Sequence, residues 1–272
     1  MPVQILDGAM GTELIARGVA LEGPAWSARA NLEASEQVAS IHRAYADAGA
    51  TLHTANTFRT QPRAYGSDWK TALRAAVRLA RGSVPHGQAV LGSMAPVEDC
   101  YEPHRSPGEG SRGDHREVAR ALADAGCDML LCETFATEAE ARVAVEEALR
   151  TGLPVWLSLT AGPFGALLSP TELGTIAAQL APSGIERLLV NCISATRIEP
   201  YVRAVATLGV PFGVYANAGR EDEGIGWSHA NDAAAASYAT LADDWVDLGA
   251  TVVGGCCGTG PAHSRALAEA FA

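Results

Sequence analysis

Leu248-Gly249-Ala250-Thr251-Val252-Val253-Gly254-Gly255-Cys256-Cys257-Gly258 holds the end of one element, the whole of the next and the start of a loop. Leu-Gly-Ala closes a helix, because glycine tolerates the left-handed turn after the last helical residue. Residues 251–254 then read as a short strand, and an apolar run of this kind suits a parallel strand covered on both faces. The same phrase recurs as Ala48-Gly49-Ala50 and Ala125-Gly126-Cys127, each just ahead of an apolar run. Working outward, strands are expected at 3–6, 51–55, 89–93, 129–132, 155–160, 188–193, 212–216 and 251–254. Between them, apolar residues fall at helical spacing, as with Val38, Ile41, Tyr45 and Ala48. The helices expected are 35–48, 69–80, 115–125, 138–149, 171–180, 197–208 and 234–248. Ser35, Asp114 and Thr137 suit N-caps, and Gly49, Gly126, Gly152, Gly209 and Gly249 suit stops. Eight such units in 272 residues average 272/8 = 34 each, which fits a (β/α)8 TIM barrel filling residues 1–272 as a single domain. The competing doubly wound sheet lacks a Gly-x-Gly-x-x-Gly after its first strand. The one loop-rich stretch, 96–113, follows the third strand and is expected over the barrel mouth.

Composition narrows the function. The chain carries 20 basic and 31 acidic residues, a net charge of −11, with 48% hydrophobic residues. It forms a core, and its acidity disfavours nucleic acid and anionic membranes as partners. The only lysine is Lys70, so a lysine Schiff base would have to form there, in a polar stretch that starts a helix. The N-terminus shows neither a basic nor an apolar segment of a signal peptide, and no run approaches about 18 apolar residues. The expectation is a cytoplasmic protein in a reducing compartment, where its 6 cysteines mean metal binding, catalysis or packing and not a disulfide scaffold.

Barrel active sites form where the strands end. The residues expected there are Asp7 and Gly8, Asn56 and Thr57, Ser93, Glu133 and Thr134, Cys192, Asn217, and Cys256 with Cys257. Three cysteines thus share one rim, with strands six and eight about 10 Å apart at roughly 4.8 Å per step. Three thiolates suit Zn2+ with a fourth position open for substrate. Neighbouring side chains on a straight strand diverge, so the flanking glycines are expected to let the backbone bend and to clear space. A vicinal disulfide at Cys256–Cys257 is the competing reading, and one that a reducing compartment disfavours. Cys100, Cys127 and Cys132 read as small core hydrophobes. Asp7 and Glu133 together complement an ammonium group, or else cap a helix and pair with an arginine. His53 reads as a satisfied barrel histidine, and His104, His115 and His229 as solvated. Met10 and Met94 are expected to pack, and the acidic run 221–223 to be a solvated loop.

These pieces resemble the homocysteine S-methyltransferase family. The likeness runs from Leu6-Asp7-Gly8-Ala9-Met10-Gly11-Thr12 through Thr54-Ala55-Asn56-Thr57-Phe58, Gly92-Ser93 and Asp128 to Glu133-Thr134. It continues through Val190-Asn191-Cys192 and Tyr215-Ala216-Asn217-Ala218-Gly219 to Gly254-Gly255-Cys256-Cys257-Gly258-Thr259. The resemblance implies a barrel whose zinc ligands are Cys192, Cys256 and Cys257, and a homocysteine thiolate that takes a methyl group and becomes methionine. It implies that Asp7 and Glu133 hold the amino group, that Gly8, Ser93 and Thr134 help place the amino acid, and that Asn217 ligates zinc when substrate is absent. A lone barrel has no cobalamin or folate module. The expected donor is therefore a small onium compound, S-methylmethionine ahead of S-adenosylmethionine, with betaine as the ammonium alternative. Phe58, Tyr101, Tyr215 and Trp227 are candidates to face its cation. The chain departs from the family's usual pattern at Met94-Ala95-Pro96, at Ala216 and in the loop 162–170, all of which bear on the donor pocket. The rival readings are a thiol redox protein using Cys256 and Cys257, and a non-catalytic barrel that binds zinc and an amino acid. Oligomeric state is not legible.

Overall fold

Eight parallel strands close into a ring in the computed structural model, which describes residues 2–218, 225 and 232–272. They are β1 (Gln4–Ile5), β2 (Leu52–Ala55), β3 (Ala89–Met94), β4 (Met129–Phe135), β5 (Val155–Leu159), β6 (Arg187–Ser194), β7 (Phe212–Asn217) and β8 (Val252–Gly255). Each pairs with its sequence neighbours, and β8 returns to β1 through Gln4–Val252 and Ile5–Val253. The last seam, β1 to β2, is the thinnest. It rests on the Leu6–Leu52 bridge, with Asp7 N–H donating to the Leu52 carbonyl and Thr51 N–H to that of Ile5, both at 2.9 Å.

The side chains explain why apolar runs became strands. Leu6, Leu52, Leu91, Leu131, Trp156, Leu189, Tyr215 and Val252, one from each strand or its edge, pack together inside the barrel. Their neighbours face outward against the helices, where Ile5, Val90, Leu130, Leu157, Val190, Val214 and Val253 belong to the larger core. With both faces covered, alternation is lost, as in the wholly buried β5. The helices Ser35–Asp47, Trp69–Ser83, Arg112–Asp124, Glu138–Leu149, Pro170–Leu180, Glu199–Ala206 and Asp232–Asp247 follow the expected pattern. An eighth, Pro261–Phe271, begins at Gly260-Pro261 and lay outside the expected set. The expected stops hold, with Gly49 at φ +98° and Gly249 at +103°.

Several local expectations need correction. Ser35 is the first residue of its helix and Asp114 lies inside the first turn of another. Only Thr137 is an N-cap, and its side chain makes no capping bond. The side-chain cap that forms is Ser169 with Glu172, a reciprocal capping box. β4, β6 and β7 run past their expected ends to 135, 194 and 217, so Glu133, Thr134 and Asn217 sit within strands. Polar residues broke the apolar pattern there, and on β4 and β6 the ladder shifts register and then resumes. His115, expected in solvent, is buried beside Glu140, with Nε2 3.2 Å from Oε1. Glu140 in turn accepts the Val97 N–H at 2.8 Å and the Ser106 hydroxyl, pinning the loop after β3 across the mouth. Burial would raise this carboxyl, but bonds from His115, Ser106 and Val97 hold it below the usual range. The acidic run 221–223, Gly219, Trp227 and His229 lie outside the described residues.

Candidate functional site

Among the described residues only three other than glycine have φ in the left-handed region, and two of them are site residues: Thr134 at +64° and Cys192 at +56°. Both stand where the ladder slips, between Cys132 and Phe135 on β4 and between Asn191 and Ser194 on β6. A bulge of this kind re-aims a side chain at a strand end. Asn191 ties the two bulges together. Its Nδ2 donates to Thr134 Oγ1 at 2.9 Å, and its Oδ1 accepts from Ser158 Oγ at 2.9 Å. Backbone strain at two facing strand ends is thereby held by buried hydrogen bonds.

The Sγ atoms of Cys192, Cys256 and Cys257 all lie within 4.8 Å of one another. Cys256 N–H donates to the Ala216 carbonyl at 2.8 Å, and the Cys257 carbonyl accepts from Ala218 N–H at 2.9 Å. The chain turns there, with Gly258 at φ +79°, so both thiols reach one point. Gly254 and Gly255 do not supply that bend. They are needed for space, since a Cβ at Gly254 would stand 2.7 Å from Leu6 Cβ and 2.9 Å from the Leu6 carbonyl oxygen. The three thiols share hydrogen bonds and burial. Cys257 is drawn well down because Cys192 and Cys256 bond to it, whereas Cys256 is pushed well up by the same pairings and by desolvation. The fourth partner is Tyr101, whose Oη lies 2.8 Å from Cys192 Sγ.

The thiols line a cavity of about 460 Å3 together with Asp7, Gly8, Ser93, Glu133 and Thr134, as well as Phe58, Tyr101 and Tyr215. Glu133 is held by both its oxygens: Ser93 Oγ donates to Oε1, and Tyr215 Oη donates to Oε2 at 2.9 Å. Asp7 does not cap a helix. Its Oδ2 accepts the Thr54 N–H at 2.9 Å. Burial raises both carboxyls, Glu133 to about 7, and each opposes a negative neighbour, Asp7 feeling Glu133 and Glu133 feeling Cys192. Among the described residues neither faces an arginine partner, so the pair is a cradle for a cation that enters from the cavity.

Other expected residues fall elsewhere. Asn217 does not line the cavity. Its Nδ2 donates to the Cys192 carbonyl at 3.2 Å, while its buried Oδ1 has no partner. Cys127 and Cys132 are core, as read, but Cys100 lines the cavity, and its thiol is pushed up to about 12 by burial and by Cys192. Met94 packs in the core, as read, and Met10 packs against it while also lining the cavity. Lys70 sits on the helix Trp69–Ser83 with Glu117 at 3.7 Å, away from the cavity. Several lining residues escaped the sequence reading, Trp26 and Arg59 among them. Trp26 precedes any strand and carries φ +42°, and Arg59, stacked 5.1 Å from the Phe58 ring, lies one residue beyond the segment read.

A parallel (β/α)8 barrel with thiols and buried carboxylates gathered at the strand ends defines a barrel enzyme with a group able to hold a metal. Comparison with known proteins narrows the class. The family model for homocysteine S-methyltransferase matches residues 4–271. A homocysteine S-methyltransferase of Escherichia coli K12 is 31% identical over 97% of this chain and 94% of its own. A methionine synthase of Mycobacterium tuberculosis is 28% identical over 99% of this chain but only 25% of its own length. The crystal structure of the homocysteine methyltransferase MmuM from Escherichia coli in a metallated form superposes with a TM-score of 0.82 at 28% identity, covering 99% of this chain and 96% of that one. The chain belongs to the homocysteine S-methyltransferase family and is an enzyme of that class.

Proposed function

We propose that the protein moves a methyl group from a small onium donor to homocysteine, forming methionine, with zinc held by Cys192, Cys256 and Cys257. The observation that carries this reading is the meeting of those three sulfur atoms within 4.8 Å on the cavity wall. The donor set fits the metal: buried thiols oppose one another's ionisation, and a soft dication removes that opposition. Cys192, Cys256 and Cys257 would hold the zinc, which would supply the positive charge that makes a substrate thiol a thiolate at neutral pH.

The remaining work falls to this chain's own side chains. Asp7 and Glu133 take the homocysteine ammonium, which relieves the burial of two carboxylates, while Ser93 and Tyr215 keep Glu133 aimed. Gly8 and Thr134 line the same wall and shape the amino-acid seat. Phe58 and Tyr101 offer aromatic faces to a cationic donor, and Arg59 offers a guanidinium to a carboxylate. The donor taken first is S-methylmethionine, ahead of S-adenosylmethionine, and a cavity of about 460 Å3 is compatible with homocysteine and a second small molecule. Betaine is the remaining donor to test. Asn217 Nδ2 is bonded to the Cys192 backbone and steadies that bulge, which leaves its buried Oδ1 as the atom that would approach zinc when substrate is absent.

The test measures zinc in freshly purified, reduced protein and methionine formed from homocysteine with each of the three donors. At least one zinc per chain and turnover with a sulfonium donor are expected. Zinc-free protein would sink the reading, and zinc with homocysteine binding but no turnover would favour the non-catalytic barrel.

A further inference from the structure

Beside Asp7, two histidines bury three ring nitrogens that hydrogen bonding does not account for. His42, on the helix Ser35–Asp47, is fully buried, and neither of its ring nitrogens has a partner. His53, on β2, is also fully buried. Its Nε2 lies 2.7 Å from Gln88 Oε1, and its Nδ1 has no partner in hydrogen-bond geometry. With the Gln88 amide oxygen turned to it, Nε2 is the donor, which leaves Nδ1 to present a lone pair. That is the tautomer of a metal-binding imidazole whose far nitrogen is held by an outer carbonyl. One ligand atom from each of Asp7, His42 and His53 lies within 4.8 Å of the other two. Tetrahedral ligands about 2.0–2.2 Å from a metal stand roughly 3.5 Å apart, so small side-chain rotations close the set. Orphaned buried nitrogens are rare, and an ion is one of the few things that explains them.

The geometry points to a second, sulfur-free site in which Asp7, His42 and His53 bind a divalent first-row transition metal, in competition with the substrate ammonium for Asp7. Two neutral imidazoles and one carboxylate suit Zn2+, Co2+ or Fe2+. Burial keeps His42 neutral, its ring drawn down to about 3, and Glu133 adds a second negative charge close to Asp7. The competition rests on the assignment of Asp7 to the ammonium in the proposed function; the site itself does not.

Cobalt(II) titration of the reduced, chelator-stripped full chain tests both. Two equivalents are expected, one with sulfur-to-cobalt charge-transfer absorption and one without. His53→Gln and, separately, His42→Gln should each lose the second and keep the first, and Cys256→Ser should do the reverse. A single equivalent in the unaltered protein, or a second that survives both histidine variants, overturns the site. Absent charge-transfer absorption counts against the cysteine centre instead, so the two failures are distinguishable. With the second equivalent bound, homocysteine should bind about tenfold more weakly, and His53→Gln should abolish that effect. Unchanged affinity overturns the competition.

Discussion

Burial raises the Glu133 carboxyl to about 7 against hydrogen bonds from Ser93 and Tyr215 that lower it. The consequence has a sign. An acid whose folded value lies above its ordinary 4.5 takes up protons on folding, so its contribution to stability falls as pH rises from about 4.5 to 7. Ligand-free protein should therefore melt lower at pH 8 than at pH 5 from this cause, and saturating homocysteine should narrow the gap. Below pH 7 an ammonium must displace a proton, so homocysteine affinity should drop by about tenfold per pH unit, read by calorimetry. Glu133→Ala should weaken homocysteine binding while the metal stays bound, and Cys256→Ser should remove metal and turnover together. Metal loss in the Glu133 variant would contradict its assignment. At this scale the sequence was legible where chemistry is local. Glycines around Cys256 and Cys257 mark a crowded turn, and the thiols do meet there. His42 and Cys100 stayed hidden because their surroundings come from distant segments, and no spacing within their own helix or loop announces them.

At the scale of elements, two kinds of glycine behave differently. Gly254 presses its Cα side against the Leu6 backbone, which cannot rotate away. Gly254→Ala should cost about 1–3 kcal/mol in urea unfolding and disturb metal binding in the turn that follows. Gly82, near the end of the helix Trp69–Ser83, meets nothing within 4 Å. Gly82→Ala should stabilise by about 0.4–1 kcal/mol, because it narrows only the unfolded chain. Glu140 is a third case, holding Val97, Ser106 and His115 at once. Glu140→Ala should loosen the loop that carries Cys100 and Tyr101 and raise the KM for the methyl donor more than that for homocysteine. Equal effects on both would mean that the loop does not shape the donor seat. Element identity was readable because glycine stops and apolar runs alternate. The strand ends were not, since Glu133 and Thr134 are polar and sit in a bulge after which the ladder resumes at Phe135, and polar Asn217 still pairs with Ser194.

For the whole molecule, the count of eight units was the decisive sequence inference, and the ring confirms it. No described helix is long and apolar enough to cross a membrane.

The ring closes where the chain's earliest and latest segments meet: Asp7 accepts the Gly255 N–H at 3.2 Å through its backbone carbonyl, and Gly258 N–H donates to Thr12 Oγ1 at 3.2 Å. Joining residues that far apart in sequence is entropically slow, so local βα units form before the seam does. The thiol centre then becomes a clock for folding. On refolding from urea, helical circular dichroism should return before cobalt charge-transfer absorption, and the lag between them measures the closing of the ring.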